Sequence, residues 1–334
     1  MTVVVKLGTS LIAGPGGRVR ARVLRARARE IGEIVRGGEP VCVVSSGAIA
    51  LGLPHLGLDR RPRDVPRLQA AWERALAPEG LHAAQILLTA NDVADRGAYV
   101  NARNALKALF ALQAVPVINE NDATATDEIT FGDNDTLAAQ VAVLVGARLL
   151  VLLTEVEGVY TRAPGEPGAE LVTEGSAVAD AVLGDSSALG AGGMRSKVLA
   201  ARMAAEAGIP TVIAGGAGAS VLLPILAGEP RGTRFHAEER DLPAYKLWLR
   251  FGKPVSGKLR LDEGARRAVA EEGRSLLAVG VTTCEGRFEA GDAVELVGPD
   301  GAAFAKGIAE APAAEIAGRP RGLEAVHRDR LVLY

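Results

Sequence analysis

Two lysines and one aspartate are the side chains in this sequence best suited to handling phosphate. Lys6 lies in the apolar run Val3-Val4-Val5-Lys6-Leu7, and Lys197 follows the glycine turn Gly190-Ala191-Gly192-Gly193. Asp135 closes Gly132-Asp133-Asn134-Asp135, at the expected start of a helix. Phosphoryl transfer needs positive charge on the migrating group and on the nucleotide phosphates. Lysine supplies that charge as a compact point. An ammonium within an apolar strand is costly without a partner, and Asp135 could hold one or both lysines. Only seven of the 38 basic residues are lysine, so each lysine is an exception to an arginine habit. A bland reading makes Lys6 a snorkelling edge residue and Asp135 a helix cap. Each explains one residue; neither explains the set.

Glycine turns supply the other half of such a site. Gly8, Gly47, Gly192 and Gly193 each follow or precede an expected element, where bare N–H groups and a helix dipole can meet an anion. One glycine pair is more simply a tight turn. Three turns on the same edge of a sheet favour an anion site. No G-x-x-x-x-G-K-[ST] run is present, so this is not a P-loop enzyme. His327-Arg328-Asp329 spells a protein-kinase triplet without its companion motifs and reads as coincidence.

These residues need a scaffold. Strands are expected at Thr2–Leu7, Val41–Val44, Gln85–Thr89, Val115–Ile118, Leu149–Leu153 and Thr211–Ala214. Helices are expected at Val19–Arg36, Ala98–Leu112, Asp135–Val145 and Met194–Ala207. Continuously apolar strands alternating with helices point to a three-layer α/β/α sandwich with a mostly parallel central sheet. Ligands then sit beyond the carboxyl ends of the strands, where Lys6, Gly8, Ser46, Asn119, Thr154 and Glu155 fall. After Phe235 the pattern shortens. Lys258-Leu259-Arg260-Leu261 alternates, Asp262 could cap a short helix, and Asp292–Val297 with Ala302–Ile308 reads as a hairpin. The expectation is a domain over 1–236, a linker over 237–245 and a small β-rich domain over 246–334.

Composition agrees. A chain of 334 residues suggests two domains. The net charge of −2 points to no polyanionic partner. Cys42 and Cys284 form no C-x-x-C pair, which fits a reducing compartment. The opening has no signal-peptide layout, and no apolar run reaches membrane-spanning length.

Together, Val4–Ser10, Ser45–Ala50, Val115–Asp122, Gly132–Asp135 and Gly192-Gly193-Met194 resemble the amino-acid kinase family over almost the whole chain. The tail resembles a PUA domain. Within that family the likeness is to the branch that phosphorylates the side-chain carboxylate of L-glutamate, the first step of proline synthesis. The resemblance implies ATP as donor, with Mg²⁺ bridging phosphate oxygens and no direct protein cage for the metal. It implies that Lys6 and Lys197 stabilise the transferring group and that Asp135 orients them. Ser46, Gly47, Asn119, Asp122 and Asn134 would bind substrate. Lys6, Gly8, Thr9, Thr154, Glu155, Ala191, Gly192, Gly193, Met194, Arg195, Ser196 and Lys197 would meet the nucleotide. It further implies proline as feedback inhibitor, handover of the product to a γ-glutamyl phosphate reductase, a homodimer or homotetramer, and a cytoplasmic location.

The chain departs from the family pattern in places. Glu155 stands where Asp is usual, Arg195 and Ser196 replace a small residue and Thr, and Ala163 replaces the Asp before Pro164. Between Arg67 and Gly80 the chain is about eleven residues shorter, close to three helical turns of 3.6 residues. Two other readings stay open. One keeps the fold with a different acceptor: acetylglutamate, carbamate, a nucleoside monophosphate or isopentenyl phosphate. The other is an impaired kinase acting as an RNA-binding or regulatory protein through Arg250, Lys253, Lys258, Arg260, Arg266 and Arg267. For that basic cluster a solvated surface is the simpler account, since acidic residues are interspersed.

Overall fold

Alternation along β1 (Thr2–Leu7) decides the architecture of the first half. Val3, Val5 and Leu7 point to one side, and Val4 and Lys6 to the other, because strand side chains alternate. All of β1 is buried, so both faces must be covered, as in a parallel sheet between helices. The protein is described by a computed structural model covering residues 1–14, 18–45, 65–121, 134–178, 193–238 and 242–334. It divides into two units, Met1–Asp241 and Leu242–Tyr334.

In the first unit β1 is followed by β2 (Val41–Ser45), β3 (Ala83–Leu88), β4 (Val115–Glu120) and β5 (Ala147–Thr154). A ribbon of β6 (Val159–Tyr160) and β7 (Leu171–Val172) comes next, then β8 (Thr211–Gly215) and β9 (Thr233–Phe235). The main sheet has the order β3-β4-β2-β1-β5-β8-β9. Its pairings are parallel except that of β8 with β9. β2 and β5 flank β1 on opposite sides, so the chain reverses direction across the sheet there. Such a reversal opens a crevice beyond the strand ends.

Val3, Val5 and Leu7 share a core with Leu24, Ile31, Trp72, Leu76 and Leu222. Those partners come from the helices Ala21–Arg36, Val65–Leu76 and Leu222–Leu226, which form one outer layer. The opposite layer contains Asn134–Val145, which packs on β1 and on Met194–Glu206. Asn134–Val145 is apolar nearly all round because it lies between the sheet and another helix. Ala21–Arg36 stops at Gly37-Gly38, where Gly38 takes a φ of 88°, open to glycine without strain. Asp95 caps Arg96–Ala111 by accepting the Ala98 N–H at 2.7 Å.

The second unit carries β10 (Val255–Leu261), β11 (Leu276–Leu277), β12 (Val281–Gly286), β13 (Ala293–Val297), β14 (Ala303–Ala309) and β15 (Glu324–Leu333). Their order is β11-β15-β14-β13-β10-β12. Leu259 and Leu261 enter its core while Lys258 and Arg260 face out. Asp262 caps the helix Glu263–Ala270 through the Ala265 N–H at 2.8 Å. β13 and β14 pair antiparallel as the expected hairpin. Among the described residues no helix is long and apolar enough to cross a membrane.

Candidate active site

Lys6 projects from β1 toward the layer that holds Asn134–Val145, and Asp135 lies in the first turn of that helix. The ammonium sits 2.5 Å from Asp135 Oδ1. Lys197, in the first turns of Met194–Glu206, reaches Asp135 Oδ2 at 3.1 Å. The three residues expose 4%, 0% and 6% of their surface, for Lys6, Asp135 and Lys197 respectively, so the cluster is shielded from water. Burial alone would push the Asp135 carboxyl up; the two ammonium groups and their hydrogen bonds outweigh it and hold the group below its usual value. Among the described residues two cations face one anion, an arrangement that favours an arriving phosphate.

Ser196 joins the cluster. Its Oγ lies 2.9 Å from Asp135 Oδ2 and 2.9 Å from the Gly193 carbonyl oxygen. Gly193 is the extended residue that precedes the helix, and Met194 and exposed Arg195 open it. Gly8 precedes the short helix that begins at Thr9. A β-carbon on Gly8 would lie 4.0 Å from Lys6 Nζ, so this turn passes beside the ammonium. Thr154 ends β5 in register with Gly215 of β8. Glu155 is exposed and 3.5 Å from Arg20. The structure thus gathers Lys6, Asp135, Lys197, Ser196, Gly193 and Gly8 around one carboxylate.

On the substrate side, Asn134 directly precedes Asp135, and its Oδ1 is buried without a hydrogen-bond partner among the described residues. Asn119 is buried near the end of β4. It lines a cleft with Leu68, Gln69, Gln85, Leu87 and Val117, on the sheet face opposite to Lys6. Ser46, Gly47, Asp122, Ala191 and Gly192 lie outside the described residues. Among the described residues, no group of three or more His, Cys, Asp or Glu side chains could hold a metal ion.

Three further relationships are not apparent in the residue pattern. Trp72 is fully buried and donates its Nε1–H to Ser45 Oγ at 3.2 Å, bracing the end of β2. The Gln69 side-chain amide donates through Nε2 to the Ala83 carbonyl at 2.5 Å, tying the same helix to β3. Arg27 and Glu30, both buried, clasp the loop after β8. Glu30 Oε1 accepts the N–H groups of Val221 and Leu222 at 2.7 and 2.9 Å. Arg27 Nη2 donates to the Gly218 carbonyl at 2.7 Å. The i, i+3 spacing of Arg27 and Glu30 is visible in the sequence, but it is also the spacing of an ordinary surface pair.

In the second unit the basic residues are largely engaged. Lys258 pairs with Glu295 at 3.0 Å, Arg260 with Glu285 at 2.5 Å and Arg266 with Glu263 at 3.7 Å. Arg250 stacks over Phe251 and Tyr334, and Lys253 over Trp248.

Residues 1–215 match the model of the amino acid kinase family, and residues 257–328 that of the PUA domain. A glutamate 5-kinase of Thermus thermophilus is 43% identical, covering 99% of this chain and 96% of that one. A glutamate 5-kinase of Mycobacterium tuberculosis is 44% identical, covering 94% and 87%. The Thermus alignment spans 362 positions against the 334 residues here, so at least 28 of its positions have no counterpart in this chain. A solved UMP kinase from Bacillus anthracis shares the fold with a TM-score of 0.51 and 18% identity, covering 71% of this chain and 96% of that one.

Proposed function

The chain belongs to the amino acid kinase family and, within it, to the glutamate 5-kinases, and from that premise we propose how its residues divide the work. It transfers the γ-phosphoryl group of ATP to the side-chain carboxylate of L-glutamate. The observation that carries the assignment of roles is the convergence of Lys6 and Lys197 on Asp135.

The acceptor carboxylate is already an anion and a nucleophile. One of its oxygens attacks the γ-phosphorus and forms the new O–P bond. The bond to the β–γ bridging oxygen breaks, and ADP leaves with its electron pair. No proton has to move, so positioning and charge neutralisation supply most of the barrier reduction. Lys6 and Lys197 place positive charge on the transferring group, and Asp135 fixes where they stand. The turns at Gly8-Thr9 and Ala191–Lys197 approach the phosphates, with Thr154 and Glu155 nearer the rest of the nucleotide. Mg²⁺ would enter with the nucleotide as part of the substrate and supply further positive charge to its phosphates.

Asp122 pairs with the substrate ammonium, and Asn134 Oδ1, a buried acceptor lacking a donor among the described residues, is available to it as well. An acceptor left in that state costs about 1–3 kcal/mol, which a substrate N–H would recover. Ser46, Gly47 and Asn119 complete the acceptor side. Proline inhibition, handover of the labile acyl phosphate to a γ-glutamyl phosphate reductase, a dimeric or tetrameric state and a cytoplasmic location belong to the same reading. So does the division into a kinase domain over 1–236 and a PUA-like domain over 246–334. RNA binding by the second unit is not part of it, since its cations are mostly paired or stacked internally.

ADP release measured with glutamate, acetylglutamate, carbamate, UMP and isopentenyl phosphate as acceptors tests the proposal. Turnover with glutamate well above all others is expected; turnover with another acceptor and none with glutamate would refute it.

A further inference from the structure

We infer that Ser196 is a positioning residue whose hydroxyl holds Asp135 and so sets where Lys197 delivers its charge. The inference deepens the kinase reading and rests on it for its kinetic test. By its place in the glycine-opened helix, Ser196 would be expected to touch the nucleotide. Its side chain instead turns inward, with Oγ 2.9 Å from Asp135 Oδ2 and 2.9 Å from the Gly193 carbonyl oxygen.

A hydroxyl carries one proton, and both of these neighbours are acceptors. The carboxylate is the stronger acceptor because it is charged. Lys197 Nζ lies on the same Oδ2 at 3.1 Å, while Lys6 takes Oδ1 at 2.5 Å. Consecutive residues of one helix therefore grip one oxygen of the carboxylate, and β1 grips the other. Lysine alone is a poor clamp, since its ammonium sits on a flexible four-carbon stem. The short serine arm, with its one proton on Asp135 Oδ2, fixes the carboxylate relative to the helix. Without the hydroxyl, Asp135 is free to rotate about the Lys6 contact and away from Lys197, whose ammonium then loses its anchor.

The full-length Ser196→Ala and Ser196→Thr proteins are compared with wild type by ADP-release kinetics with glutamate, by calorimetry with Mg-ADP, and as crystals. Ser196→Ala is expected to lower kcat about tenfold or more, with KM for ATP and Kd for Mg-ADP within about twofold of wild type. Ser196→Thr, which keeps the hydroxyl, is expected to stay within about threefold in kcat. In the Ser196→Ala crystal the Asp135–Lys197 separation should exceed about 4 Å, the limit of an ion pair. A loss confined to KM for ATP would make Ser196 a nucleotide contact and overturn the inference. So would a Thr variant as slow as the Ala variant, or an unmoved carboxylate in the crystal. An inactive wild type would refute the glutamate reading instead, and the crystal comparison would still decide the role of Ser196.

Discussion

Lys6 and Lys197 occupy opposite oxygens of one buried carboxylate, 2.5 and 3.1 Å from Asp135. One comes from the first strand of the sheet and the other from the helix that follows a glycine turn far along the chain. Packing of Asn134–Val145 between them makes the meeting possible. Among the described residues the cluster holds two cations to one anion, and it sits where the sheet reverses its winding.

Replacing either lysine removes one cation from the transferring group while leaving Asp135 paired with the other. Lys6→Ala and Lys197→Ala should each lower kcat by about 10²–10³, the scale of losing one preorganised electrostatic contact. Both proteins should keep a cooperative thermal transition. Wild-type rates in both, measured by ADP release, would remove these lysines from the mechanism.

Asp135→Asn acts on stability as well as rate, because it removes the carboxylate that both buried ammonium groups contact. Breaking a buried pair in this way costs about 3–5 kcal/mol, readable as a shift in the urea midpoint. Because the folded carboxyl is held below 3.8, its contribution is present above that pH and is lost as pH falls through the folded value. The stability gap between wild type and Asp135→Asn should therefore narrow in acid. A gap that widens as the pH falls contradicts the pairing.

Much of this was legible in the residues, for identifiable reasons. Val3-Val4-Val5-Lys6-Leu7 is short, apolar and buried on both faces, so a lysine within it demands a partner. Asn134–Val145 and Met194–Glu206 announce themselves by length and by the glycines before them. β6 and β7 span two residues each, too few to carry a period. The inward turn of Ser196 depends on how two helices are rotated about their axes, which no spacing encodes. Arg27 and Glu30 look like a solvent pair until the loop after β8 covers them. Ser46, Gly47, Asp122, Ala191 and Gly192 lie outside the described residues, so their roles rest on the motifs that contain them.

The Arg27–Glu30 clasp should be strongly stabilising. Glu30→Ala leaves the Val221 and Leu222 N–H groups without their acceptor and takes from the Arg27 guanidinium the carboxylate it pairs with. A loss of about 3–5 kcal/mol in urea unfolding is expected, by the rule for a broken buried pair. Glu30→Gln keeps an oxygen for the N–H groups and should lose less. Equal losses for the two variants would show that accepting these N–H groups is not what matters.

In the second unit Lys306 is 5% exposed and donates to the carbonyls of Arg250 and Lys253. Burial chiefly pulls its ammonium down to about 8, against 10.5 when unperturbed, with nearby Glu295 opposing. The unfolded chain then binds the proton more tightly than the folded one, so stability rises as pH climbs from about 8 to about 10.5. The melting temperature of wild type, taken relative to Lys306→Met, should increase over that window. A difference that stays flat would mean Lys306 titrates normally.

The most direct test is a crystal structure of the full chain with ADP, Mg²⁺, glutamate and an aluminium fluoride standing in for the transferring phosphoryl group. Both lysine nitrogens are predicted within about 3 Å of the fluoride ligands, hydrogen-bonding distance for a charged donor, with a glutamate side-chain oxygen in line on the far side. If the fluoride binds with Lys6 and Lys197 turned away and contacting Asp135 alone, the central claim is wrong.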